Sequence, residues 1–390
     1  DQDHRMTVAS RMLDSNKWTY KVLETKVGWD THNYITMAVD RDGHLHVSGN
    51  MHCVKLIYFR TQKAGDITTL TRYAMTGEAE ERATYPKFFR NHKDELIFTY
   101  RDGGSGNGRR IYNKYDRDTK SWSRLLDKPL FDGKGLVNAY PWGPAKGPDG
   151  YFHVVWVWRQ TPDCATNHNL SYVRSKDLTD WESISGKKIE LPITKAEKSL
   201  LIDPVPVGGG IINGGFRVAF DTENRPVIAY HKSDADGNMQ IYTARFENAK
   251  WVIRQLTEWD KPVKFSGYGS MGFIGIRLGE FKKAEPGIFT ITYRHKDYGF
   301  GQLVVDEKTL RQIDKKITVS KIYPGELDRR VIRREGFGIR RAGDKGSSGE
   351  EGVRYILQWE TMGRNNDRPR ENVQPKSSLL KLYKLKKRQK

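Results

Sequence analysis

The hydrophobic pattern of this chain alternates with period two along almost its whole length, and the alternation is organised into a repeating unit. Alternation puts apolar side chains on one face of an extended strand, so the chain is built from short strands rather than helices. Each unit runs through an Asp-Gly turn, an inner strand, a variable loop, a second strand, an Asp turn and a final strand carrying Trp. Asp40-Arg-Asp-Gly opens one unit and Lys93-Asp-Glu-Leu-Ile-Phe-Thr-Tyr the next, which closes at Trp122. Pro148-Asp-Gly opens a third, closing at Trp181, and Asp221-Thr-Glu-Asn a fourth, closing at Trp251. A fifth begins near Pro286-Gly and a sixth contains Gly352-Val-Arg-Tyr-Ile-Leu-Gln-Trp359. The opening stretch from Met6 to Tyr20 reads as the outer part of a seventh.

Openings spaced roughly fifty to seventy residues apart suit four-stranded blades with long inserts. The expected fold is therefore all-β, a seven-bladed β-propeller occupying residues 1–390 as one domain, with an N-terminal blade that is incomplete in this chain. Radial closure hides strand edges that would otherwise be sticky. A pair of β-sandwiches is the alternative, and the blade-like period favours it less. Residues 324–351 are the least patterned and read as an inserted excursion; the tail from Lys381 reads as a solvated end.

Lys plus Arg number 67 and Asp plus Glu 48, so the net charge is 67 − 48 = +19. A basic surface steers anionic partners toward it, either an acidic polysaccharide or nucleic acid. The basic residues are dispersed and no nucleic-acid motif appears, which disfavours the second. Ten Trp and 19 Tyr suit pleated, half-buried surfaces and sugar stacking. Cys53 and Cys164 are too few for a disulfide framework and are expected to be free. No apolar run reaches the roughly 18 residues of a membrane span. The first residues resemble the middle of a turn, so we expect upstream sequence to be missing.

Four residues stand out as chemistry. His32 lies in Trp29-Asp-Thr-His-Asn, His52 follows Ser48-Gly-Asn-Met, Tyr85 precedes Pro86 in an extended stretch, and Arg101 begins a Gly-rich loop. Together they suit removal of a proton beside a carboxylate. Arg grips and neutralises the carboxylate, His titrates near the operating pH, and Tyr serves as acid or base where a cation lowers its pKa. Each also has a plain structural use: a turn His, a packing Tyr, an Arg paired with Asp102. A second group, expected to bind substrate, comprises Asn33, Asn50, Arg159, Asn167, His168, Tyr230 and His231. Long loops after Tyr100 and Arg159 would wall off one end of the pocket and favour action on a chain end.

The segments Trp29-Asp-Thr-His-Asn-Tyr-Ile, Val47-Ser-Gly-Asn-Met-His-Cys, Tyr100-Arg-Asp-Gly-Gly-Ser-Gly-Asn-Gly, Thr166-Asn-His-Asn-Leu-Ser-Tyr and Trp359-Glu-Thr-Met-Gly-Arg-Asn-Asn-Asp-Arg-Pro-Arg370 resemble the BNR-4 propeller family. That family includes ulvan lyases, rhamnose–glucuronate lyases and related α-L-rhamnosidases. The resemblance implies a catalytic set of His32, Tyr85, Arg101 and His52, since two His twenty residues apart and a Tyr sixteen before an Arg form the lyase centre. His32 and Tyr85 would then be the base and acid, in an order left open, with Arg101 and His52 neutralising the uronate. It further implies a secreted or periplasmic enzyme, expected to be a monomer, acting on an acidic polysaccharide or oligosaccharide. No cofactor is required; the resemblance implies a structural calcium, or in some ulvan lyases a zinc, as the metal to look for, although no clustered carboxylate loop is present and Cys53, Cys164 and His168 lack dense zinc-ligand spacing.

Three functions follow as expectations. The first is β-elimination at a rhamnose–glucuronic acid linkage, of ulvan or of arabinogalactan side chains such as those of gum arabic. The second is hydrolysis of the same linkage by an α-L-rhamnosidase working from the opposite propeller face. The third is a catalytically silent glycan-binding propeller.

Overall fold

A computed structural model describes residues 3–318, 323–332, 335–343, 346, 350–371 and 378–386. The chain divides into two compact units: residues 1–269 with 273–317, and residues 270–272 with 318–390. In the first unit a two-stranded hairpin, Arg5–Ser10 with Thr19–Lys26, precedes five larger antiparallel sheets. The first blade pairs Ile35–Val39, Leu45–Gly49, Tyr58–Thr61 and Leu70–Tyr73 in that order. The second is built on Ala83–Arg90, Leu96–Gly104 and Asn107–Asp116, with His52–Val54 added at its inner edge. The third is built on Asn138–Lys146, Phe152–Arg159 and Asn167–Ser175. Arg217–Phe220 opens the fourth and Ile276–Glu285 the fifth. The second unit holds one sheet, Phe337–Gly343, Val353–Met362 and Lys381–Lys386.

The fold is all-β and of the β-propeller type, with six sheets of three or more strands among the described residues rather than seven. The stretch expected to be the outer part of a seventh blade is the two-stranded hairpin. Every predicted opening is the turn between the first and second strands of a sheet: Asp40–Gly43, Asn91–Asp94, Gly147–Gly150 and Asp221–Asn224 each close with a backbone bond. The excursion at 324–351 contains a strand, Phe337–Gly343, and the expected solvated tail contains another, Lys381–Lys386. Both carry many charges and few alternating apolar positions, which hid them from a pattern search. The remainder of that tail, 387–390, lies outside the described residues.

Core placement follows from strand position. In Phe152–Arg159 every residue is buried. Val154, Trp156 and Trp158 pack toward the second blade, while Val155 and Val157 pack toward the fourth. A strand sandwiched between neighbouring sheets is covered on both faces and reads as a continuous apolar run. The same two-sidedness puts Ile97 and Phe98 into different apolar clusters. Buried polar groups reinforce the blades. His46 bridges Asp40 (3.2 Å) and the Tyr58 hydroxyl (2.8 Å), and His153 repeats the arrangement with Asp149 (2.9 Å) and Tyr172 (2.6 Å). Arg245, 2% exposed, joins the fourth blade to the fifth through Asp221 (3.2 Å) and the carbonyls of Glu307 (2.6 Å) and Lys308 (2.9 Å). Cys53 and Cys164 are free, as expected. No helix among the described residues is long and apolar enough to cross a membrane.

Burial lowers the His231 imidazole to about 4, against the opposing hydrogen bond to the Gly210 carbonyl. Because its folded pKa lies below the unfolded value, the unfolded chain binds the extra proton. Stability is therefore full above about pH 6.5 and falls as pH descends toward 4, by on the order of 3 kcal/mol from this residue. Thermal denaturation from pH 7 to 4 should show that fall, and His231→Gln should flatten it.

Candidate active site

Four of the eleven expected site residues meet in one place in the first unit. His32 sits in a turn that precedes the first blade. The Asp30 carboxylate accepts the His32 amide (2.7 Å), and the Asp30 carbonyl accepts the Asn33 amide (3.1 Å). This Asx turn fixes the His32 backbone. His52 begins the inner-edge strand of the second blade, where it is paired with Thr84. Its ring stacks on His32 with centroids 4.0 Å apart and 19° between planes. Asp30 lies between them: Oδ1 meets His32 Nδ1 at 2.5 Å, and Oδ2 meets His52 Nδ1.

Tyr85 reaches this pair from the next strand, its hydroxyl 3.1 Å from His32 Nε2. It stands at a β-bulge, with the ladder register slipping between Thr84 and Lys87 and Tyr85 at φ +59°. The sequence led us to expect plain extended backbone ahead of Pro86. The left-handed conformation is costly for a bulky residue, and the bulge re-aims the side chain out of the ladder. Burial raises the Tyr85 hydroxyl well above its usual range, and neighbouring Tyr140 adds to this; Arg101, Arg159 and Arg110 oppose both. The expected cation effect is present but outweighed, so Tyr85 keeps its proton.

Arg101 lies within the strand Leu96–Gly104, not at the start of a loop. The Gly-rich stretch continues that strand into a hairpin whose turn is only Ser105-Gly106. No long loop follows Tyr100, so that wall of the expected pocket does not exist. Arg101 is 2% exposed, donates from Nη2 to the Thr84 hydroxyl (3.1 Å), touches Cys53 Sγ (3.4 Å), and places its guanidinium 4.9 Å from the Tyr85 ring centroid. Asp102, the expected partner, pairs instead with Arg109. Two Arg101 nitrogens, Nε and Nη1, have no hydrogen-bond partner, and no carboxylate pairs with it among the described residues.

The second group disperses. Arg159 stands behind the cluster, 5.4 Å from the Tyr140 ring, which in turn packs edge-on against Tyr85. Its donors are committed to the carbonyls of Thr161 (3.1 Å) and Asp163 (3.3 Å). Asn167 bonds Asn213 (3.2 Å), and His168 holds the Thr166 carbonyl (3.0 Å). Asn50 ties down the Lys26 carbonyl (2.7 Å), while Asn33 contributes to the turn. Tyr230 and His231 are fully buried, bonded to Asp203 (2.5 Å) and to the Gly210 carbonyl (2.9 Å). The aromatic-basic ending of their strand is turned into the interior.

A cleft of about 420 Å³ opens over Tyr85 and Tyr140. Lys87, Arg110 and Arg217 supply cations to its walls, and Tyr34, Trp142 and Phe216 supply rings. Among the described residues, no Asp or Glu lines it. Sequence reading missed these residues and Asp30. Asp30 was visible only as the Asp two places before a candidate His, and Arg110 carried no such signal, because its pairing with Arg101 is set by strand register.

Among the described residues, Asp30, His32 and His52 form the one grouping whose donor atoms, all within 4.8 Å of one another, have the spacing of a metal site. Two nitrogens and one carboxylate do not match the oxygen cage calcium takes, and both Nδ1 atoms are engaged by Asp30. The expected calcium finds no fit in this group.

Residues 1–259 match the family described as BNR repeat-containing family member, and the chain belongs to that family. It is similar to the short-isoform ulvan lyase of Alteromonas sp. (strain LOR), 29% identical over 158 residues, covering 37% of this chain and 29% of that protein. It is also similar to the long-isoform ulvan lyase of Glaciecola sp. (strain KUL10), 27% identical over 38% of this chain and 15% of that protein. The match thus spans less than a third of these relatives' length. Among solved structures, polysaccharide lyase Uly1 superposes with a TM-score of 0.61 at 16% identity, over 99% of this chain and 85% of that one. A PL25 ulvan lyase bound to -[GlcA(1-4)Rha3S]- gives 0.57 at 13% identity, over 92% and 79%. At such identities these two likenesses establish the fold.

A buried cation without an anionic partner is costly to the fold. Arg101→Met, close in volume and uncharged, should therefore melt at a temperature no lower than the parent, measured by circular dichroism. A clearly lower melting temperature would mean that Arg101 is there to hold the blade together.

Proposed function

We propose that the chain is a polysaccharide lyase that cleaves an acidic polysaccharide beside a glucuronate, by β-elimination. The observation that carries this reading is Arg101, a buried guanidinium with two unpartnered nitrogens, set against the hydrogen-bonded pair of His32 and Tyr85. A carboxylate substrate would supply the missing anion, and neutralising it is what makes the neighbouring C5 proton removable. Arg101 and His52 take the neutralising role. His32 takes the C5 proton at Nε2. The electron pair left on C5 forms the C4–C5 double bond as the C4–O4 bond breaks, and Tyr85, which burial keeps protonated, gives its proton to the departing O4. The products are an unsaturated uronate and a new hydroxyl end. The reaction as written draws only on these side chains and needs no cofactor.

Elimination is favoured over hydrolysis because glycoside hydrolysis usually relies on two carboxyl groups flanking the bond, whereas among the described residues the cluster holds one carboxylate, Asp30, engaged by both histidines. Ulvan is favoured over arabinogalactan because three cationic side chains beyond the uronate site suit a polymer with further negative charge. The partial matches to ulvan lyases point the same way. The rhamnose–glucuronate linkage, action as a monomer, and a secreted or periplasmic location belong to the same reading.

Incubation with ulvan should raise ultraviolet absorbance from the unsaturated product faster than incubation with gum arabic. Release of rhamnose without absorbance would replace the lyase with a hydrolase. His32→Ala and Arg101→Ala should each lower the rate by about 10²–10⁴-fold while remaining folded. Full activity in both would move catalysis away from this cleft.

A further inference from the structure

Asp30 has no role in the scheme above, yet it touches both histidines of the site. Its Oδ1 accepts from the His32 amide and meets His32 Nδ1, while its Oδ2 meets His52 Nδ1. Although burial opposes ionisation, the His32 amide and the two imidazoles hold the carboxyl below its ordinary range. An ionised carboxylate only accepts hydrogen bonds, so each Nδ1 must carry a hydrogen. The stacked rings, 4.0 Å apart, are thereby held in one orientation, with both Nε2 atoms directed away from Asp30. For His32 that atom is the one facing the Tyr85 hydroxyl at 3.1 Å.

We propose that Asp30 is the positioning residue of this site: one carboxylate that fixes the Nδ1–H tautomer of His32 and His52 together and presents both Nε2 atoms to substrate. The inference rests on the lyase reading for its catalytic consequence, though not for the tautomers themselves. The unprotonated Nε2 of His32, which faces the Tyr85 hydroxyl at 3.1 Å, is then the atom that takes the C5 proton. His52, when doubly protonated, keeps one hydrogen on Asp30 and directs the other at the uronate. A side chain that orients an imidazole in this way governs which nitrogen is basic. Sharing one carboxylate between two rings makes their states interdependent.

Asp30→Asn is the informative variant. Its amide oxygen can still accept the His32 backbone N–H and keep the Asx turn, but its NH₂ group can only donate. One of the two rings must then present an unprotonated Nδ1. Nitrogen-15 correlation spectra of the 390-residue chain, with ring signals assigned through His32→Gln and His52→Gln, should show both parent rings protonated at Nδ1. At least one ring should switch to Nε2–H in Asp30→Asn. With ulvan as substrate, kcat should fall about 10²–10⁴-fold while KM moves only a few-fold. A parent spectrum with Nε2–H at either ring would overturn the proposal, as would Asp30→Asn with both tautomers unchanged or with parental kcat. Ring signals of the parent that change on adding EDTA would mark the three residues as metal ligands, and would overturn it too. If the tautomers behave as stated but the parent releases no unsaturated product, the lyase reading fails and the positioning role stands. Should Asp30→Asn not fold, the parent spectrum alone decides.

Discussion

The first unit depends on burying its middle strands on both faces. Val154, Trp156 and Trp158 on one side and Val155 and Val157 on the other cannot all be covered by one sheet. The second, third and fourth blades therefore each pack against a neighbour on both sides, and apolar clusters form between sheets rather than within them. At roughly 1.5–3 kcal/mol for each fully buried large apolar side chain, these contacts far exceed what any single ion pair contributes. They also set the registers on which the site is built. Thr84 is the ladder partner of both Arg101 and His52, so the pairing of three strands decides where those two side chains stand.

The site spends some of that stability. Tyr85 adopts a left-handed backbone at a bulge, and Arg101 is sealed from water with two nitrogens unmatched. Each is costly, since strain of this kind costs about 1–3 kcal/mol. Their coincidence within one cluster, with a hydrogen-bonded His–Tyr pair between them, is the reason to regard it as a place where chemistry occurs. The buried Asp–His–Tyr groups of the first and third blades make the contrast. His46 and His153 have both nitrogens satisfied and burial lowers both imidazoles, so they read as struts.

Turns and strands were largely legible because both are local. Asp-Gly and related Asp turns, with the apolar runs, located the turn between the first and second strands of each sheet. Blade number was not legible, because a hairpin and a full blade begin with similar patterns, and charged strands such as Phe337–Gly343 lack alternation. The quartet His32, His52, Tyr85 and Arg101 was legible as residue types at particular spacings. Tyr230 and His231 were not separable from it on that basis. An aromatic-then-basic strand ending looks the same whether it meets solvent or, as here, the interior of the fourth blade.

The sequence by itself determined that this chain folds into repeated antiparallel sheets, that it carries a surplus of positive charge, and which residue types could act on a uronate. These are properties of composition and of neighbours along the chain. Tertiary structure alone decided that Asp30 lies between two histidines, that Tyr85 turns out of its ladder toward His32, that Arg101 is left without a carboxylate, and that Lys87, Arg110 and Arg217 line one cleft. Each depends on the register between strands far apart in sequence. A shift of one residue reverses the face a side chain occupies, and register is fixed only when the sheets pack.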